Sequence, residues 1–191
     1  MIRLHYILKP KSNTDILAAL DYKDYNDLLI KSAQIKFSYG VELALKHEDK
    51  IDCNNGKILK IGVKMNNFRI FKLCLQKGID IHYQQDVALR YAASNGNIRM
   101  VKILIAKGAD INTIDSQALR YAVDLNDIKM MELLVKHGAN IHAAGSLALF
   151  NCLQFHRLEV AELLLLAGAR LSKYWNNEIH GNAKTLLNKY K

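Results

Sequence analysis

With 191 residues, half of them hydrophobic, one proline and ten glycines, the chain has apolar material for a continuous helical core, which excludes disorder and disfavours a β-sandwich. Three cysteines, Cys53, Cys74 and Cys152, form no C-x-x-C pair and leave an odd count, which argues against a secreted disulfide framework and for an intracellular, cytoplasmic setting. The net charge of +9 admits an acidic partner, and its excess is uneven: ten basic against eight acidic residues in 1–60, nine against four in 61–120, eight against six in 121–191.

Residues 1–21 form an N-terminal segment whose apolar side chains are interrupted by Arg3, His5 and Lys9, too often for a signal-peptide core. The longest apolar run, Leu163 to Ala169, is too short to span a bilayer, so no membrane association is expected. Residues 22–51 place Leu28, Leu29, Val41, Leu43, Leu45 and Ile51 in the register of the later blocks but lack their glycine, and are predicted to be a degenerate first repeat or cap.

From residue 52 the chain repeats itself. Gly78-Ile79-Asp80-Ile81, Gly108-Ala109-Asp110-Ile111, Gly138-Ala139-Asn140-Ile141 and Gly168-Ala169-Arg170-Leu171 lie thirty residues apart each time, defining blocks 52–81, 82–111, 112–141 and 142–171. Within each block a first helix is expected after a capping-type column, Asn26, Gly56, Asp86, Ser116, Ser146 and Asn176. In the two middle blocks this helix reads A-L-R-Y-A, Ala88 to Ala92 and Ala118 to Ala122. A second capping column, Asn66-Asn67, Gly96-Asn97 and Asn126-Asp127, opens a second helix; His156-Arg157 departs from it. That helix is too apolar for an isolated surface element and ends at the recurrent glycine, suited to a left-handed cap. A short extended connection then leads to the next block. One such hairpin cannot bury both faces, whereas stacked hairpins pack their small residues, Ala92, Ala122 and Cys152, between layers. Residues 172–191 are expected to be a C-terminal capping helix, the first helix of a truncated repeat.

The string Ala92-Ala93, Asn95-Gly96-Asn97, Val101-Lys102-Ile103-Leu104-Ile105, Gly108-Ala109-Asp110-Ile111-Asn112 closely resembles the ankyrin repeat, across about residues 52–171. The resemblance implies an all-α ankyrin-repeat solenoid of stacked helix-turn-helix units. Two features depart from the family pattern. The period is thirty residues rather than thirty-three, and A-L-R-Y replaces T-P-L-H, which predicts shortened connecting fingers. This variant is similar to the ankyrin proteins that giant viruses of the mimivirus type carry.

Ankyrin-like stacks bind proteins chiefly through the concave side, so the resemblance implies a protein-protein interaction scaffold, expected as a monomer, with an unidentified protein partner and a host protein among the candidates. The columns outside the core give the candidate residues: Tyr83, Gln84, Gln85, Arg90, Ser94, Thr113, Asp115, Arg120 and Asp124. Arginine and aromatic side chains are common interface anchors. Packing competes with binding at these columns. Tyr91 and Tyr121 also suit a place between layers, and Arg90 and Arg120 suit bonds to backbone carbonyls of neighbouring repeats. On the second helices Arg69, Lys72, Arg99, Lys102 and Lys129 recur as a basic stripe that could follow a polyanion such as nucleic acid. The sign reverses at Glu132, Glu159 and Glu162, and no aromatic interleaving offers base stacking, so a solvated helix face is the preferred reading.

Seven histidines show repetition rather than clustering, since His82 and His142 share one column and His47 and His137 another; no metal or cofactor is expected. Cys74 and Cys152 fall in packing columns. No phosphate-binding loop, nucleophile elbow or paired-carboxylate motif is present, so no enzyme is expected. Residues 172–191 are also too short for the F-box-like segment some viral ankyrin proteins carry.

Overall fold

The computed structural model describes residues 12–21, 23–35, 37–47 and 56–190; the expectations at Arg3, His5, Lys9, Ile51 and Cys53 lie outside them. The described residues contain twelve helices and no strand: α1 (Asn13–Leu20), α2 (Tyr25–Gln34), α3 (Ser38–His47), α4 (Lys57–Lys64), α5 (Phe68–Gln76), α6 (Tyr83–Ser94), α7 (Ile98–Ala106), α8 (Thr113–Asp124), α9 (Ile128–Lys136), α10 (Ala143–Gln154), α11 (Leu158–Leu166) and α12 (Gly181–Lys189). They divide into two compact units, Met1–Asp80 and Ile81–Lys191.

In the first unit, α2 packs against α3, α3 against α5, and α4 against α5. Leu28, Val41, Ala44, Leu45, Val63, Ile70 and Phe71 are wholly buried there. Gly62 lets α4 and α5 approach, because a Cβ on it would come within 2.6 Å of the Ile70 Cγ2. Asn26 lies inside α2 rather than at its cap position, which is Asp24, whose side chain accepts from the Asp27 N–H at 2.8 Å.

In the second unit the helices pair as α6/α7, α8/α9 and α10/α11, and the first helices α6, α8 and α10 pack in succession. The side chains buried in it recur thirty residues apart. Leu89, Leu119 and Leu149 line one layer, Ala92, Ala122 and Cys152 the next, and Val101, Leu104, Leu134 and Leu164 face them from the second helices. Burial of these apolar faces is the main force holding short helices that would not persist alone.

The second helices all end in the same way. Gly78, Gly108, Gly138 and Gly168 are left-handed, with φ between 70° and 94°. The next N–H reaches back to a carbonyl five residues earlier, as from Ala109 to Leu104 and from Ala139 to Leu134, both at 3.0 Å. The second-helix caps fall where the sequence puts them: Asn67, Asn97 and Asp127 accept from N–H groups of the first turn of α5, α7 and α9. Arg157 makes no such bond.

Three further expectations are corrected. The connection between blocks is not extended: Gln84, Gln85 and Asp86 have φ of 49°, 55° and 53°, and Ile114, Asp115 and Ser116 have φ of 49°, 53° and 52°, each trio forming one left-handed helical turn. Asp86 and Ser116 therefore do not act as ordinary N-caps, since their side chains bond backward to His82 and Asn112. The last helix also begins late: α12 starts at Gly181, five residues beyond Asn176.

Candidate binding surface

The left-handed turns are the least ordinary part of the second unit, because L-residues pay about 1–2 kcal/mol each to adopt that conformation. Two polar devices hold them. A main-chain bond closes each turn, from the Asp86 N–H to the His82 carbonyl and from the Ser116 N–H to the Asn112 carbonyl, both at 3.2 Å. The same residue pairs then join through their side chains, His82 Nδ1 with Asp86 Oδ1 at 2.9 Å and Ser116 Oγ donating to Asn112 Oδ1 at 2.8 Å. Asp86 and Ser116 are buried, so these bonds satisfy groups that would otherwise be stranded.

The turns are also tied to the helices that succeed them. Arg90 donates to the Gln84 carbonyl at 2.7 Å, to the Gln85 carbonyl at 3.2 Å and to Gln117 Oε1 on α8 at 2.7 Å. Gln117 in turn donates to the Tyr121 hydroxyl at 3.0 Å. Arg90 thus bonds two carbonyls within its own block and reaches the next helical pair through the Gln117 side chain rather than through a backbone carbonyl. Asn112 bonds main-chain groups one layer on: its Oδ1 accepts from the Asn140 N–H at 2.7 Å and its Nδ2 donates to the Gly138 carbonyl at 3.1 Å.

The candidate residues Tyr83, Gln84, Gln85, Arg90, Ser94, Thr113, Asp115, Arg120 and Asp124 all fall in the second unit, on the turns and first helices. Gln84, Gln85, Asp115 and Asp124 are exposed; Tyr83, Arg90, Ser94, Thr113 and Arg120 are half-buried. Ser94 and Thr113 direct their hydroxyls to the main-chain carbonyls of Tyr91 and Asp110, which leaves them partly occupied with local structure. Ile114, 42% exposed, stands among them and was not singled out by its sequence, because an isoleucine between two polar residues reads as a buried position. Gln117 and Asn112 were missed for a similar reason: their columns hold different residue types in the other blocks. Arg157 did leave a signal, the broken capping column. It donates to the Val123 and Asp124 carbonyls, both at 2.8 Å, and so serves the end of α8 rather than the start of its own helix.

The basic residues divide between the units. Arg69 and Lys72 belong to α5, where Arg69 lies 3.8 Å from Glu42, while Arg99, Lys102 and Lys129 belong to α7 and α9, and all three are exposed. Burial pushes the Cys152 thiol up to about 12, which suits a packing residue and not a nucleophile. His47 stacks on Tyr25 with ring centroids 5.1 Å apart. Among the described residues no group of three His, Cys, Asp or Glu is placed to hold a metal ion, and no helix is long and apolar enough to cross a membrane.

The family model for ankyrin repeats (3 copies) matches residues 29–115 and 89–174, together well over half of the chain. The chain belongs to the ankyrin-repeat family. No curated protein matches it. Ankyrin repeats are in general protein-protein interaction modules, and in this ankyrin chain the turns that carry Gln84, Gln85, Ile114 and Asp115 are exposed segments fixed by polar bonds.

Proposed function

We propose that the chain is a non-enzymatic scaffold that binds a protein partner through the side formed by its left-handed turns and first helices, with Tyr83, Gln84, Gln85, Arg90, Ser94, Thr113, Asp115, Arg120 and Asp124 as the contact columns. The observation that carries this reading is the state of Ile114: a β-branched apolar side chain, 42% exposed, held in a left-handed backbone that isoleucine disfavours. A strained turn carrying an exposed apolar residue, braced on one side by Asn112, supports a surface organised before its partner arrives, which reduces the ordering entropy of association. The repeat boundaries proposed for it are 52–81, 82–111, 112–141 and 142–171, with 22–51 as a degenerate cap. An intracellular setting is supported by cysteine usage, and a giant-virus source by the thirty-residue period and the A-L-R-Y columns alone.

The test is capture from a lysate with the parent chain and with Ile114→Asp/Asp115→Arg, compared by quantitative mass spectrometry. A defined protein depleted by about tenfold or more with the variant, at unchanged helicity, is the expected result. Identical captured sets would overturn the assignment of this surface.

A second reading, polyanion binding, draws support from the positions of Arg99, Lys102 and Lys129 on neighbouring second helices.

A further inference from the structure

The repeat column that reads Asp80, Asp110 and Asn140 changes sign at Arg170. In the two preceding blocks this residue turns the chain by a local bond: Asp110 Oδ1 accepts from the Asn112 N–H at 2.8 Å and Asn140 Oδ1 from the His142 N–H at 2.9 Å. An arginine has no acceptor to offer, and the chain beyond it leaves the repeat register. It forms turns closed by the bonds from Trp175 to Ser172 and from Glu178 to Trp175, and only then enters α12, which packs on α11.

This change of course opens a pocket of about 210 Å³ between the end of α11, the 170–176 segment and α12. Its floor is apolar, made by Leu165, Leu171 and Leu187, and two exposed cations, Arg170 and Lys173, line it as well. None of its lining residues is acidic. The nearby carboxylate of Glu162 is engaged elsewhere, by Lys189 Nζ at 2.8 Å and the Tyr190 hydroxyl at 2.5 Å, contacts that hold it below the usual carboxylate range and fasten α12 to α11. The Lys184 ammonium is likewise committed to the Asn176 carbonyl at 2.7 Å. Among the described residues, two positive charges thus border an apolar hollow with no carboxylate in its lining, Arg170 also donating to the Ala169 carbonyl at 3.4 Å.

The volume lies below the roughly 300 Å³ at which small-molecule sites begin, a size that one side chain fills. An apolar side chain and an anion presented by one residue match this lining, and the C-terminal residue of an unmodified polypeptide carries both. We propose that this pocket binds the C-terminal residue of a partner polypeptide, its apolar side chain entering between α11 and α12 and its free α-carboxylate meeting Arg170 and Lys173. Backbone ends are recognised in this way when a charged pair supplies orientation and a hollow supplies affinity.

The experiment titrates the full ¹⁵N-labelled chain with a Gly/Ser hexapeptide ending in phenylalanine, once with a free carboxylate and once as the C-terminal amide. The acid is expected to shift the amides of Leu171, Lys173 and Leu187, with the amide form binding about tenfold or more weakly. Arg170→Glu/Lys173→Glu should lose the acid by a similar factor at an unchanged melt; if that variant is unfolded, Arg170→Gln/Lys173→Gln gives the same reading. Equal binding of the two peptides, shifts elsewhere, indifference to both variants, or no binding at about 5 mM would overturn the proposal. Because Ile114 and Asp115 are untouched in these variants, failure here leaves the scaffold reading standing, and failure there leaves this pocket to be judged by itself.

Discussion

Ile114 concentrates the tension between stability and display in a single side chain. Its φ of 49° and ψ of 58° put a β-branched residue where asparagine or glycine would rest with less strain. Because it is 42% exposed, the packing lost on shortening it is modest, whereas the backbone strain relieved is about 1–2 kcal/mol. Ile114→Asn, which tolerates the left-handed region without glycine's extra freedom in the unfolded chain, is therefore expected to raise stability by about 0.5–1 kcal/mol. Urea unfolding followed by circular dichroism reads this directly, and a lower midpoint would mean that the isoleucine is held by packing rather than merely tolerated. The scaffold reading expects the same variant to capture its partner less well, so that stability and binding move in opposite directions. Such a trade is what a residue retained for contact would produce.

At the scale of the element, the choice at the start of α11 is instructive. Asn97 caps α7 through the Met100 N–H at 2.9 Å, and Asn97→Ala should cost about 1 kcal/mol. Arg157 gives up that kind of bond and instead supplies two charge-assisted bonds to the Val123 and Asp124 carbonyls, one helical pair away. Arg157→Ala removes both and is expected to cost about 2 kcal/mol; Arg157→Asn restores a cap and recovers roughly half of that. An equal melt for Arg157→Asn and the parent would show that the bonds to α8 contribute little. Element ends of this sort were legible in the sequence wherever one residue type meets the need alone: glycine at the left-handed caps, asparagine or aspartate before α5, α7 and α9. The left-handed turns were not legible, because Gln84, Gln85, Ile114 and Asp115 form no pattern that marks a run of positive φ. The turn is imposed by bonds between residues four apart, by Arg90 and by the next layer. The late start of α12 was hidden for a related reason, since the sequence keeps a capping type at Asn176 while the chain has already been diverted at Arg170. For the candidate surface, the columns named the first-helix and turn positions, but only packing could separate Arg90, occupied in holding the turns, from Gln84 and Asp115, which face solvent.

At the scale of the whole molecule, the thirty-residue period separates side chains that build the core from side chains that only dress it, and the two classes should respond oppositely to charge. Leu134 is wholly buried on α9, so Leu134→Asp places a carboxylate where it has neither water nor a partner. That penalty competes with a folding free energy of about 5–15 kcal/mol for a typical domain, and because each layer of a repeat array is stabilised by its neighbours the damage should spread beyond its own hairpin. Arg99→Glu/Lys102→Glu lowers the charge of a chain of net +9 by two units at each position, yet on a solvent-facing side of α7 it should shift stability by no more than about 0.5 kcal/mol. The two variants together are decisive. Loss of cooperative melting in Leu134→Asp alongside a parent-like melt in the charge-reversed chain is the expected pair, and a parent-like Leu134→Asp would remove α9 from the core. The charge-reversed chain also reports on polyanions, because log affinity for duplex DNA should fall linearly with log salt for any chain that binds through phosphate neutralisation. If the parent binds with such a slope and the slope shrinks on reversal, α7 is part of an anionic-partner surface; if the parent does not bind, the basic residues are a solvated face and the turns carry the recognition.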